Sequence, residues 1–208
     1  MIGPRLCVLF GLFTTLLIIA TTGVVKAAYA DDAMQTTQQF VNKSLVIMAD
    51  KQTPVGDRQR ELRELLEPKF DFTEMSRQAL GPHWRNLTPD QRQNFSEVFK
   101  GFIEAAYLSK IGSYAGQTVS FLKQSPMGDG YVQVFSDINQ TNKPPIHVNY
   151  LLEQQDGGWK VYDVLVENIS IIQNYRNQFN RVIDQDGFDK LLVDLKAKQQ
   201  QLNAASAG

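Results

Sequence analysis

Along this chain the hydrophobic period changes twice, and that pattern decides the fold class. Apolar residues recur at three- and four-residue steps up to about Gly116, at the two-residue step of strands from there to about Val166, and at helical steps again to the end. Consecutive strands joined by short turns cannot be parallel, so the order predicts an α+β domain built on a twisted antiparallel sheet. Four strands are expected: Thr118 to Leu122, one around Val132 and Val134, one from Ile146 to Leu152, and Trp159 to Val166. Ile146, Val148, Tyr150 and Leu152 alternate with His147, Asn149, Leu151 and Glu153, as in a sheet with one dry face, and Asp156-Gly157-Gly158 then turns the chain. Both phases of the last strand are apolar. We assign Tyr162, Val164 and Val166 inward because the opposite phase contains Asp163.

Helix starts are marked clearly. Thr88-Pro89-Asp90-Gln91 places a capping threonine, a proline at the first helical position and a glutamine three residues after the cap. The helix that follows carries Phe95, Val98, Phe99, Phe102, Ile103 and Ala106 on one stripe, extended by Tyr107, with Gln93, Asn94, Glu97, Lys100 and Glu104 on the other faces. Asp71 and Glu74 open a shorter helix that stops at Gly81-Pro82, and Ser170 and Gln173 open another from Ile171 to about Ile183. Asp57 begins a helix on which Arg60 and Glu64, and Arg63 and Glu67, lie one turn apart as a solvated face.

The first 30 residues stand apart: Arg5, an uncharged and mainly apolar run from Leu6 to Val25, and then Ala28-Tyr29-Ala30, which has the small-x-small form of a signal-peptidase site. A membrane anchor is the alternative reading, but the polar start at Asp31-Asp32 favours cleavage after Ala30 and an exported protein with no stable anchor. Residues 31–202 then form one domain and 203–208 a polar flexible tail. With 43 % apolar and 21 % charged residues among 208, the composition excludes a disordered or multi-span chain. Cleavage removes Arg5 and Lys26 but no acid, so the product is more acidic than the formal net charge of −1, and no basic stripe calls for nucleic acid. Cys7, the only cysteine, leaves with the signal, taking disulfide and thiol chemistry with it.

Catalytic groups are scarce. His83 sits in a Gly-Pro-His-Trp turn and His147 in the outward phase of a strand, neither with Cys, His or paired acids at ligand spacing. There is no G-x-S-x-G elbow, no H-E-x-x-H and no glycine-rich phosphate loop, so no metal or cofactor is expected. Asp163 and Glu167 would lie ~13 Å apart on an extended strand, wider than the ~5 to 9.5 Å of paired glycosidase carboxylates. Asp163 is better placed to receive hydrogen bonds from a helix end or an arginine. These residues favour a binding protein over an enzyme. The abundant apolar surface suits an ordinary core and a cavity wall equally, since periodicity does not separate the two.

Three segments narrow the choice. Phe70-Asp71-Phe72-Thr73-Glu74-Met75-Ser76-Arg77-Gln78-Ala79-Leu80-Gly81-Pro82-His83-Trp84-Arg85 runs directly into Leu87-Thr88-Pro89-Asp90-Gln91-Arg92. Further on come Gly158-Trp159-Lys160-Val161-Tyr162-Asp163-Val164 with Val166-Glu167-Asn168-Ile169-Ser170, and then Asn174-Tyr175-Arg176-Asn177-Gln178-Phe179. In this order and spacing they resemble the MlaC family, also called the toluene-tolerance auxiliary family, over about residues 33 to 200. The family pattern usually has glycine where this chain has Asn168; asparagine is the residue that best replaces glycine at positive φ.

The resemblance implies a periplasmic phospholipid carrier of a Gram-negative bacterium, with a four-stranded sheet wrapped by helices around an apolar lipid cavity. Its implied partners are an outer-membrane lipoprotein complex and an inner-membrane ABC transporter with its substrate-binding ring, which it would visit as a monomer to maintain outer-membrane lipid asymmetry. On that reading Phe99, Phe102, Ile103, Ala106 and Tyr107 face Val132, Val134, Val148, Tyr150, Leu152, Val164 and Val166 across the lipid tails. Tyr175 and Arg176 are the candidates for the head group; an arginine paired with Asp163 and a core tyrosine are the plainer assignment. The rival functions are a small secreted α+β enzyme or ligand-binding domain with a polar pocket, for which His147 and Asp163 are the candidate polar groups, and an adaptor that binds no lipid.

Overall fold

The computed structural model describes the backbone of residues 22–108, 114–155 and 158–207. Four helices, α1 (Thr22–Ala49), α2 (Val55–Leu66), α3 (Phe72–Leu80) and α4 (Pro89–Leu108), precede β1 (Thr118–Gly128), β2 (Tyr131–Gln140), β3 (Lys143–Gln155), β4 (Gly158–Val166) and β5 (Ile169–Ser170). Two helices, α5 (Ile171–Asp186) and α6 (Phe188–Ala207), close the chain. The order is the α, β, α succession the periodicity predicts, and every strand pairs antiparallel with its chain neighbour, in the order β1-β2-β3-β4-β5. The sheet has five strands where four were expected. The fifth is a two-residue strand created by the turn at Glu167 and Asn168, both at positive φ (51° and 63°), which folds Ile169 and Ser170 back onto Val166 and Leu165. Asparagine therefore stands where the backbone is left-handed, as its replacement of a glycine predicts.

The capping chemistry is as the sequence suggests. Thr88 Oγ1 accepts from the Gln91 N–H at 3.2 Å while Gln91 Oε1 accepts from the Thr88 N–H at 2.9 Å, a reciprocal box at the start of α4. Asp71 Oδ1 accepts from the Glu74 N–H (2.7 Å), and α3 ends at Gly81 with φ 54°. Two boundaries differ from expectation. The first strand runs to Gly128 rather than Leu122, and α6 continues to Ala207, through the segment read as a flexible tail. Alternation in β1 is broken by register shifts between Phe121 and Lys123 and between Pro126 and Gly128, which hides a long strand from a period-two reading. Residues 1–21 and the Asp156-Gly157 turn lie outside the described residues, and the Ala30–Asp31 junction falls within α1. Among the described residues no helix is long and apolar enough to cross a membrane.

The apolar interior has two large clusters. One cluster is helical: α3, α4, α5 and α6 enclose Phe95, Phe99, Phe102, Phe179, Leu191 and Leu195. The other lies between one face of the sheet and α1, where Val132, Val134, Val148, Leu152 and Val161 meet Ala33, Phe40 and Val41. A small third group, Ile47, Leu62 and Leu108, joins α1, α2 and α4. That junction covers Glu104, expected on a solvated face but buried because α2 packs there; burial raises its pKa, opposed by Lys100 and Arg63.

Candidate functional site

The dry face of the sheet is continuous across three strands. Val132 pairs with Leu152, Val134 with Tyr150, and Ser136 with Val148, so these side chains stand in rows on one surface. On β4 the assignment of Tyr162 to that surface needs correction. Leu152 pairs with Val161 but Leu151 with Asp163, so Tyr162 is an extra residue that reverses the alternation. Val161 before the bulge and Val164 after it share the face; Tyr162 instead meets Tyr131 edge-on at 5.9 Å, and Val166 is 37 % exposed at the strand end.

The surface is not purely hydrocarbon. Ser136 Oγ donates to the Val148 carbonyl (2.7 Å), Thr37 Oγ1 to Ala33 (2.8 Å) and Ser44 Oγ to Phe40 (3.0 Å), all buried. Tyr107 and Tyr150 bring two phenols to the same region, both with pKa pushed up chiefly by burial and eased back by Ser44 and Ser136 respectively. Hydroxyls satisfied by local carbonyls leave a wall that is apolar toward the interior.

The aromatic stripe of α4 is divided between the two halves. Tyr107 reaches the sheet cluster, while Phe99, Phe102 and Ile103 belong to the helical one, and Ala106 between them is half-buried. Phe99 meets Tyr175 (5.7 Å, 84°) and Phe179 (5.5 Å, 82°) edge-on, and Phe102 meets Tyr175 at 5.3 Å. The stripe thus does not face the sheet as one surface, because α5 and α6 occupy the space in front of its first half.

Tyr175 and Arg176 point apart, as neighbours on a helix do. Tyr175 packs in the helical core, whereas Arg176 lines a cavity of about 700 Å³ bounded by α3, the 3₁₀ turn Gly81–Asn86 and the first turns of α5. Asp163 is buried at the edge of this cavity and accepts from the Val164 N–H (2.8 Å), the Ile172 N–H (3.2 Å) and Ser170 Oγ. It serves the start of α5, not Arg176. Its pKa is raised by burial, partly offset by those three donors. His147 is exposed with Nδ1 2.6 Å from Asp137 Oδ1, which raises its pKa, and His83 lies 3.5 Å from Asp184, so neither histidine reaches Asp163's cavity. Among the described residues no three His, Cys, Asp or Glu side chains gather as metal ligands.

Comparison with known proteins places these features in context. Residues 38–197 match the family described as MlaC protein. The intermembrane phospholipid transport system binding protein MlaC of Haemophilus influenzae is 22 % identical over 144 residues, 67 % of each chain. The toluene tolerance protein ttg2D of Pseudomonas putida is 29 % identical over 130 residues, 62 % of this chain and 60 % of that relative's length. Among solved structures, a phospholipid-binding protein from Ralstonia solanacearum, in complex with a phospholipid, superposes with a TM-score of 0.71 at 28 % identity, covering 83 % of this chain and 99 % of that one.

Proposed function

The chain belongs to the MlaC protein family, and from that premise we propose that it is a periplasmic phospholipid carrier moving glycerophospholipid between an outer-membrane lipoprotein complex and an inner-membrane ABC transporter with its substrate-binding ring. The observation that carries the reading is the apolar face of Val132, Val134, Val148, Tyr150, Leu152 and Val164 packed against α1, with Ser136 among them satisfied by the Val148 carbonyl, in a fold shared with a protein solved in complex with a phospholipid. The apolar run before Ala28-Tyr29-Ala30 supports export.

The physics of the cargo requires enclosure. A sixteen-carbon acyl chain exposes about 15 methylenes worth ~0.8 kcal/mol each, so roughly 12 kcal/mol per chain separates a sheltered tail from open water. A carrier that held tails far more tightly than a bilayer does would never release them, so the wall must offer about the same solvation as a membrane and no specific grip. Aliphatic and phenolic side chains do this, and the zwitterionic or anionic head lies outside that wall. The sequence holds no nucleotide-binding loop, so direction and energy come from the partners, and docking is brief.

Organic extraction of the purified protein followed by lipid mass spectrometry tests the reading. Glycerophospholipid near or above one molecule per chain is expected; a protein that carries none is an adaptor or a small polar-ligand binder. Lipid-loaded protein is then mixed with plain anionic liposomes and with liposomes carrying the reconstituted transporter. Faster transfer to the second is expected, and equal rates would replace the partnered carrier with simple membrane collision.

A further inference from the structure

The cavity beside α5 has a charge balance that its lining does not resolve. Three guanidinium-bearing residues, Arg77, Arg85 and Arg176, line it with Trp84, Pro82 and Gly81. Arg77 is paired with Glu74, both of whose oxygens it holds. The cavity's one carboxylate, Asp163, already takes three hydrogen bonds from β4 and α5. Arg85 and Arg176 therefore have no carboxylate partner among the described residues.

Arg176 is held by shape instead of charge. It is half-buried, and Gly81 leaves the room it occupies: a Cβ on that residue would stand 2.5 Å from Arg176 Nε and 2.9 Å from Cζ. A guanidinium withdrawn from water without a counter-ion loses water contacts that an anion's hydrogen bonds would replace. Its fork matches two oxygens of one group, and two unpaired cations favour a phosphate over a singly charged carboxylate. A volume of about 700 Å³ leaves room beyond the phosphate for an organic portion against Trp84 and Pro82.

The geometry points to a site for a phosphate-bearing organic anion in this cavity, held by Arg176 and Arg85. The phosphate has two possible sources, a phospholipid headgroup or a soluble phosphoester. The first rests on the carrier reading; the second does not.

Calorimetric titration of the delipidated full chain with glycerol 3-phosphate is the direct test. We expect saturable binding that weakens with added salt and falls about tenfold in Arg176→Gln and in Arg85→Gln, the loss of one charge-assisted contact in each case. Circular dichroism and melting temperature check both variants; Arg85 is exposed, so Arg85→Gln decides alone if Arg176→Gln does not fold. Phosphorus NMR of protein carrying its copurified lipid separates the sources. With a headgroup in the cavity, the lipid resonance shifts in the arginine variants and glycerol 3-phosphate binds only after delipidation. With a soluble ligand, the lipid resonance is unchanged and glycerol 3-phosphate binds loaded and empty protein alike. The site is overturned if both arginine variants match the parent in glycerol 3-phosphate affinity, or none of the three binds it, and the lipid resonance is also unmoved. Protein purified without lipid ends the carrier reading, while the titration still decides the site.

Discussion

The helical half and the sheet half bury comparable apolar clusters by different means. In the helical half, Phe95, Phe99, Phe102, Tyr175 and Phe179 lock ring to ring, alternating stacked and edge-on contacts between 5.3 and 6.4 Å. In the sheet half, branched aliphatic side chains line a face that also carries Ser136 and Tyr150, and the cover is mixed: α1 with its buried Thr37 and Ser44, joined by Phe70, by Leu66 of α2 and by Tyr107 of α4. Interlocked rings have few alternative arrangements, and a cavity between them would forfeit contact on every side. The valines and leucines of the sheet face are not keyed ring to ring in this way and can part more cheaply. On the carrier reading we propose, the difference divides the work: one half fixes the scaffold, and the other would admit the acyl chain.

Phe99→Ala in the helical half should show the largest effect. Phe99 is fully buried and touches rings on both α4 and α5, so its truncation is expected to cost about 3–5 kcal/mol, read as a lower urea midpoint. Lipid content per folded molecule should stay near the parent value. Loss of lipid without loss of stability would return Phe99 to the cavity wall and break the comparison.

Val164→Glu is the matching change in the sheet half. Val164 is only partly buried, so a carboxylate there can turn toward water or take up a proton, and the expected cost is about 1–3 kcal/mol, below that of Phe99→Ala. Copurified lipid should fall at least tenfold, because tails on that face would bury the carboxylate or force a proton onto it. A stability loss as large as that of Phe99→Ala, with lipid undiminished, would mean that the sheet half is as tightly keyed as the helical one. Val148→Glu, at a site 6 % exposed, should lose both lipid and more stability.

How much of this was legible in the sequence follows from the reach of each signal. Caps are local, and the Asp71, Thr88 and Ser170 starts could be read because donor and acceptor lie three residues apart. The dry phase of β3 was legible because nothing interrupts it between Ile146 and Leu152. The bulge at Tyr162 has no local signature, so both phases of β4 looked apolar and each was right on one side of it. Periodicity also gives the buried stripe of a helix without naming the neighbour that buries it. For that reason Phe99 and Tyr107 looked like one wall, and Glu104 looked solvated until α2 was placed beside it. The cavity at Arg176 joins α3 to α5, about a hundred residues apart in sequence; Gly81 and Pro82, read as a helix stop, were its one visible trace.

The smallest expected effect lies at the seam between the halves. Asp71, the cap of α3, reaches Glu153 and Gln155 on β3; Gln155 Nε2 donates to Asp71 Oδ2 and, at 2.8 Å, to Glu153 Oε1. The Asp71 N–H donates to the Val161 carbonyl at 2.9 Å, so this seam also ties α3 to β4. Burial raises the pKa of Glu153 above its ordinary 4.5, and the neighbouring Asp71 adds to the rise. Burial also opposes the charge on Asp71, but the Glu74 N–H and the side chains of Gln155 and Glu153 outweigh it and hold Asp71 below 3.8. The two groups act in opposite directions. Above the ordinary glutamate value the folded state keeps a proton on Glu153 that the unfolded chain has released, so stability is lost as pH rises through the raised pKa. Below the ordinary aspartate value the unfolded chain binds a proton that folded Asp71 refuses, so its contribution is lost as pH falls further. Glu153→Gln keeps a neutral side chain able to donate to Asp71 and removes the first effect only. Urea midpoints from pH 4 to 7 should decline in the parent and less steeply in Glu153→Gln, where the raised pKa values of Glu104, Asp163 and His147 still act, with the two curves meeting at the acid end. Parallel curves would detach the proton from Glu153 and leave Asp71 as the seam's pH-sensitive group, with its hydrogen bonds to Gln155 and Val161 still joining the helical and sheet halves.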